Sequence, residues 1–470
     1  MVNYGFVIDN RKCIGCHACT VACKSEHDVP IGVNRTHVKY IEKGNYPDVT
    51  REFSVHRCNH CEDSPCTTIC PTTALFTRSD GIVDFDDDRC IGCKSCMQAC
   101  PYDALYIDPN KGTAAKCNYC AHRIEHSYEP SCVIVCPTEA IISGDLDDPN
   151  SSISGYLSEH ETTVRKPESG AKPNVYYVET SEDSLDPHAT ERSGEYLWTD
   201  QAAGVGHFAK YAEQRSGAAD THSMIVQLAL EKKAKAAAPR DRAIIHDVMS
   251  RLEEEAGKPK RLYDQPSKGV LWGWEVSAYV VTKAIATGTY MLAMALMLSG
   301  MLEMTDGMWW RLVIGCTAFL GLTGALVMLD LDRPERFVYV MLRPNWDSWL
   351  VKGAYLLGGF GGVLACSGAV LLFGLDRIYL EYLAYAGVPL ALLTGVYTAW
   401  LLKQARGRSW SEDGLLEAKM IFEMVVVGAG GVLLMASPGI LSMLVFAILM
   451  AVVASHAHGT VIKPQLETLH

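Results

Sequence analysis

Residues 12–30 read KCIGCHACTVACKSEHDVP, and they crowd four cysteines, Cys13, Cys16, Cys19 and Cys23, into eleven positions. The spacing, C-x2-C-x2-C-x3-C, recurs along the chain. A second group is Cys58, Cys61, Cys66 and Cys70, and a third is Cys90, Cys93, Cys96 and Cys100. A fourth, Cys117, Cys120, Cys132 and Cys136, has its middle gap widened by AHRIEHSYEPS. Of the 18 cysteines only Cys316 and Cys366 fall outside these groups, which describes a dedicated cysteine module rather than scattered packing residues.

The spacing carries a geometric requirement. A short loop can wrap three thiolates around one face of an iron–sulfur cubane but cannot also reach the fourth iron, so a cysteine from a partner motif completes each site. Cys70, Cys100 and Cys136 each precede a proline, as in the bacterial ferredoxin run. Every quartet is complete, so four [4Fe-4S] clusters are expected. C-x2-C pairs also build zinc sites, and a zinc-binding membrane scaffold is the competing reading from another class. A third cysteine three positions on, with a Cys-Pro ending, favours iron and sulfide. Lys12, Lys24, Lys94, Lys116 and Arg123 lie among the ligands, where positive charge would raise cluster potentials; ordinary solvated side chains are the competing reading. His17, His56, His60, His122 and His126 read as ordinary histidines rather than ligands.

Length and charge bound the rest. A chain of 470 residues exceeds one compact core, so at least two domains are expected. A net charge of −12 argues against nucleic acid as a partner. The opening MVNYGFVIDNRKC has neither the pattern of a signal peptide nor a twin arginine, so a reducing cytoplasmic setting is expected, in which thiols serve as metal ligands. Short apolar runs beside the motifs (GFVID, GIVDF, ALYID) read as strands, and KPNVYYVE reads as one that completes the module. An α+β ferredoxin-like iron–sulfur domain is therefore expected over residues 1–190. Residues 191–268 are a polar connector or docking segment, in which SMIVQLALEKKAKAAA and AIIHDVMSRLEEEAGK read as surface helices, the second closed by Gly257.

From residue 269 to 470 the composition is that of a lipid phase. Apolar runs near 272–302, 309–329, 348–374, 379–402, 416–436 and 440–456 predict an all-α transmembrane bundle of about six helices. SPG at 437–439 makes the last two either a tight hairpin or one broken element. Trp272, Trp274, Trp309, Trp310, Trp346, Trp349 and Trp400 sit near run ends, where interfacial indoles belong.

The cysteine module resembles the four-cluster electron-transfer subunits of the molybdopterin oxidoreductase superfamily, such as those of polysulfide and dimethyl sulfoxide reductases, over roughly residues 5–185. The resemblance implies pairing of the first motif with the fourth and the second with the third. Cys13, Cys16 and Cys19 would then join Cys136, and Cys117, Cys120 and Cys132 would join Cys23. Cys58, Cys61 and Cys66 would join Cys100, and Cys90, Cys93 and Cys96 would join Cys70. Cys23 departs slightly, being followed by Lys24 instead of proline.

A row of clusters is a wire that needs a chemistry at each end. His456 and His458 stand together at one helix end, which does not supply haem ligands on facing helices, so no haem is expected and a quinone is. Glu275, Tyr279 and Lys283 are spaced by four and share a helix face. LDLDRPERF concentrates Asp330, Asp332, Arg333, Glu335 and Arg336. Quinone chemistry moves protons with electrons, so a hydrogen-bonding pocket with a titratable carboxylate is required, and ionisable groups near apolar segments are its candidates. Glu417, Lys419 and Glu423 are weaker candidates. The W-x-W opening with TGTY, and LDRPERF followed by RPNWDSW, resemble the NrfD/polysulfide-reductase membrane-subunit family. That likeness implies Asp332 and Tyr279 at a quinone site, menaquinone or ubiquinone. The family usually has eight or more helices against six here, so a second-half quinone contact is either absent or comes from an additional membrane subunit.

If the cysteine module and the even loops share one side, that side holds Arg333, Arg336, Arg343, Lys352, Lys403, Arg406, Arg408 and Lys463, against Arg311 and Arg377 opposite. This bias places the clusters on the cytoplasmic side of the inner membrane. The expected function is that of a membrane-anchored electron-transfer subunit, relaying electrons between a molybdopterin (Mo or W) catalytic subunit and the quinone pool. The electron-transfer and membrane subunit of a membrane-bound hydrogenase is the alternative within the class.

Overall fold

The structure, a computed structural model, describes residues 2–44, 47–186, 190–192, 257–264 and 268–467. The two helices read in the connector lie outside the described residues.

Four repeats of one backbone turn organise the cysteine domain. The residue before the second cysteine of each motif takes the left-handed conformation: Gly15 at φ 68°, His60 at 42°, Gly92 at 69° and Tyr119 at 60°. This curls the loop back so that successive N–H groups face one centre, an anion-binding arrangement common at iron–sulfur sites. Glycine adopts it freely. His60 and Tyr119 hold it through packing, each fully buried, with Tyr119 donating its hydroxyl to the Gly5 carbonyl over 2.7 Å. A second repeat follows each Cys-Pro, where Thr73, Asp103 and Glu139 are also left-handed. Cys23 has no proline after it, and there the helix Ala18–Glu26 runs through the cysteine.

Two four-stranded sheets frame these loops. In one, Tyr4–Asp9 lies between Ile141–Asp145 and Val175–Val178, pairing in parallel with the latter, so the VYYV strand does complete the module. The other joins His37–Lys43 and Thr50–His56 to Lys260–Tyr263 and Glu191–Arg192. The end of the connector is thus part of the iron–sulfur domain. A buried ion triad fixes it there: Lys39 Nζ lies 2.9 Å from Asp264 Oδ1, and Arg261 Nη1 lies 2.7 Å from Asp264 Oδ2. Burial works against the Asp264 charge, yet Lys39 and Arg261 hold its carboxyl well below the usual carboxylate range.

Among the described residues six helices are long and apolar enough to cross a membrane: Trp274–Leu298, Asp306–Leu329, Trp349–Leu372, Ile378–Gln404, Leu416–Ala436 and Ile440–Glu467. The first is the central one, packed on the second, fourth, fifth and sixth. Its close approach to the fifth is set by glycine, since a Cβ on Gly288 would lie 2.1 Å from the Met424 carbonyl oxygen. The fifth and sixth form the tight hairpin. The sixth continues eleven residues beyond His456, so that histidine is inside a helix rather than at its end. Its last turns dock on the cysteine domain, where Gln98 donates to Gln465 over 2.6 Å.

Candidate functional site: a cysteine wire seated on a polar membrane nest

None of the 18 cysteines, all of them among the described residues, forms a disulfide. Several act on one another across motifs as the resemblance implies, while Cys19 also faces Cys132, Cys66 faces Cys70 and Cys96 faces Cys66, so neighbouring quartets are in reach of each other. Cys13 faces Cys136 and Cys16, and Cys23 faces Cys117, Cys132 and Cys120. Cys61 faces Cys58, Cys100 and Cys66, and Cys93 faces Cys70 and Cys90. Two quartets visibly enclose cavities. Cys13, Cys16, Cys19 and Cys136 line one, and Cys70, Cys90, Cys93 and Cys96 line the other.

These quartets fit a cubane better than a lone ion. Zinc would draw its thiolates to about 2.3 Å from one point. Among the described residues no three His, Cys, Asp or Glu side chains converge for a single metal ion. Burial pushes the thiols up, to about 12 at Cys19 and Cys93, with neighbouring cysteines adding to the effect. Positive charge at the centre of a quartet relieves that penalty. Donors are already aimed at the sulfurs: Ala114 N to Cys90 Sγ at 3.3 Å, Ala140 N to Cys136 Sγ at 3.2 Å, and His27 Nε2 at 3.2 Å from Cys120 Sγ. Arg57 and Lys116, neither with a carboxylate partner among the described residues, are fully buried among the cysteines.

The second and third motifs rest on the membrane bundle. Trp272 donates its indole N–H to the Cys93 carbonyl over 3.1 Å. Arg336 grips the carbonyls of Asp87 at 2.6 Å and Cys90 at 3.2 Å, Asn345 donates to the Cys70 carbonyl at 2.8 Å, and Ser348 to that of Ile69 at 2.7 Å. Gln98 meets Gln465 at 2.6 Å and Arg408 at 2.8 Å. Gly407 permits the approach, since a Cβ there would lie 2.5 Å from the Cys100 carbonyl oxygen. LDRPERF and RPNWDSW are therefore docking segments.

The quinone candidates separate into two places. Asp332 is turned to Lys94, 3.3 Å away, and Arg336 to the third motif, so both belong to the junction. Tyr279 and Lys283 meet inside the bundle. Lys283, 1% exposed, donates to the Thr398 hydroxyl and lies 4.3 Å from the Tyr397 ring centre and 5.9 Å from that of Tyr279. Glu423 is the acid that acts on Lys283, and it accepts from His456 Nδ1 at 2.5 Å. Asp330, singled out in sequence only as one of a charged group, links the two places. It acts on Tyr279, lies beside Glu275 and Asp332, and accepts the Lys94 ammonium at its carbonyl over 3.0 Å. Burial pushes its carboxyl up to about 7 against the pull of Lys94. A separate apolar cleft, lined by Ile285, Thr289, Trp310, Cys316 and Phe446, lies toward the opposite end of the bundle.

A cysteine-rich electron-transfer domain seated on a six-helix membrane bundle is the class these features define. Residues 49–146 match the family described as 4Fe-4S dicluster domain, and residues 264–447 match Polysulphide reductase, NrfD. The cysteine half is similar to a polysulfide reductase chain of Wolinella succinogenes, 43% identical over 178 residues, which are 37% of this protein and 93% of that one. It is also similar to a tetrathionate reductase subunit of Salmonella typhimurium, 44% identical over 179 residues, 37% of this protein and 72% of that one. The arsenate respiratory reductase iron-sulfur subunit of a Shewanella species is 34% identical over 222 residues, 37% of this protein and 95% of that one. The protein belongs to the family of iron–sulfur subunits of membrane-bound reductases, here fused to an NrfD-type membrane domain. It is a multi-pass membrane protein that carries iron–sulfur clusters and transfers electrons within a reductase complex.

Proposed function

We propose that the sixteen motif cysteines hold four [4Fe-4S] clusters, cross-paired as above, which relay electrons one at a time between a molybdopterin-type catalytic subunit and the quinone pool. The observation that carries this reading is the polarity of the domain. Its second and third motifs are pressed on the membrane bundle, while the first and fourth face away, with Cys16 exposed. Around that outer end stand exposed apolar side chains: Ile14 (57%), Val21 (65%) and Ile134 (57%), the last two on short helices packed together. An apolar face beside an accessible cluster site supports a docked protein partner there.

At the membrane end, Tyr279, Lys283 and Asp330 are the groups we assign to quinone, menaquinone or ubiquinone. Lys283 and Tyr279 supply donors to a head group, and Asp330 holds a proton at near-neutral pH. Glu275 is near enough to Asp330 to bias it, while Asp332 and Arg336 keep the junction in register. The loops bearing Arg333, Arg336 and Arg408 lie on the iron–sulfur side, which supports a cytoplasmic placement at the inner membrane.

The test is iron and labile sulfide counted on the membrane-purified chain, with cluster signals resolved by potentiometric electron paramagnetic resonance. About sixteen of each per chain are expected for four cubanes, and about half that number would overturn the count. Lys283→Met should lower quinone turnover while a soluble dye is still reduced.

A further inference from the structure

A guanidinium carries a permanent charge, and burying one is costly unless an anion faces it. Arg57 is 1% exposed, at the end of the strand Thr50–His56 and immediately before Cys58. Its plane lies over the Phe6 ring, 4.5 Å from the centre. Nη1 donates to Cys132 Sγ over 3.2 Å, while Nε and Nη2 are buried with no partner. Among the described residues no carboxylate pairs with it. The groups that act on its charge are Cys132, Cys117 and Cys19. Cys19 belongs to one outer quartet, and Cys117 and Cys132 belong to the other. One cation thus stands between two sets of thiols.

We propose that Arg57 sets the reduction potentials of the two outer clusters, those of the first and fourth motifs, holding both above the values their burial alone would give. The proposal rests on the four-cluster reading. When an outer cluster is reduced, one electron arrives from its neighbour, which is oxidised. No bond or proton moves, and the receiving cubane gains one negative charge. A fixed positive charge in a low-dielectric surround favours that more negative form. Lys116 is buried as well, but it acts on Cys58 and Cys66 of an inner quartet and on Cys117 alone of the outer cysteines, so it reaches only one outer quartet where Arg57 reaches both. Arg57 was not legible as special in sequence, because an arginine beside a cysteine motif is ordinarily solvated.

The experiment is a redox titration of the full chain in membranes, followed by electron paramagnetic resonance, with iron and sulfide counted in each sample. Arg57→Gln removes the charge and keeps a donor for Cys132. At the ambient potential where wild-type outer clusters are half reduced, the variant should show a reduced-to-oxidised ratio at least tenfold lower, 59 mV for one electron. The inner two should be unmoved. Arg57→Lys keeps the charge and should stay within a few-fold of wild type. Full iron with unshifted outer clusters in Arg57→Gln overturns the proposal. So does an Arg57→Lys variant with full iron that falls tenfold, and that arm serves if the glutamine variant does not assemble. Failure of the four-cluster reading would appear separately, as low iron in the wild type.

Discussion

The indole N–H of Trp272 and the carbonyl of Cys93, 3.1 Å apart, join the entrance of the central membrane helix to the loop of the third cysteine motif. Trp272 is buried against Trp410, with ring centres 5.8 Å apart, so the contact lies in a dry junction. Trp272→Phe keeps the packing and removes the donor, at a cost of about 1 kcal/mol. Dye reduction by the iron–sulfur domain should be unchanged and quinone turnover lower, measured in the same membranes. Equal loss of both would mean the domain itself had been damaged.

Cross-pairing makes a directional prediction at Cys70. Although it belongs to the second motif by sequence, it lines the cavity of Cys90, Cys93 and Cys96. Cys70→Ser should therefore alter the cluster of the third motif and spare that of Cys58, Cys61 and Cys66. Resolved cluster spectra distinguish the two, and loss of the wrong signal refutes the pairing.

Asp330 predicts a pH dependence. Its carboxyl is raised to about 7 by burial, against Lys94. Below that pH it is protonated and can give a proton to a quinone; above it, it is a base. Quinone reduction should fall as pH rises through about 7, and quinol oxidation should rise over the same interval. Asp330→Asn should flatten both profiles without affecting the iron content.

Asp264 predicts stability. Replacing it with asparagine removes the carboxylate that faces both Lys39 and Arg261, at a cost of about 3–5 kcal/mol. Because the folded carboxyl titrates below its unfolded value, the contribution is present above about pH 4 and is lost as pH falls further. Thermal unfolding of the iron–sulfur domain at neutral pH checks the loss, and the gap between wild type and variant should narrow in acid.

The exposed apolar end predicts a docking defect. Ile134→Glu places a charge on a side chain that is 57% exposed, so folding should be unaffected. Co-purification with the catalytic subunit should weaken, while dithionite still reduces every cluster and quinone is still turned over. Undiminished co-purification would locate the partner elsewhere.

Periodic and repeated features were legible in the sequence. Cysteine spacing announced the four turns, and apolar length announced the six spans, because both are local properties. Contacts between distant residues were not legible. Lys39 and Asp264 are far apart in the chain, and nothing near either marks the pair. Asp330 and Asp332 stand two positions apart at a helix end, with Lys94 4.0 Å from Asp330 Oδ1 and 3.3 Å from Asp332 Oδ1, and the motif does not say that Asp330 is the more buried of the two. Nothing in the sequence marks Gln465, yet its side-chain oxygen accepts the backbone N–H groups of Leu271 and Trp272, each at 3.0 Å.

The strand Lys260–Tyr263 closes onto the cysteine domain just ahead of Trp274, where the chain enters the bilayer. Covalent continuity over so short a span makes the junction an intramolecular contact, with an effective concentration in the millimolar range. Each wire has its own anchor in fixed stoichiometry. Dilution or detergent extraction that would strip a separately encoded subunit from its membrane partner leaves this pair together.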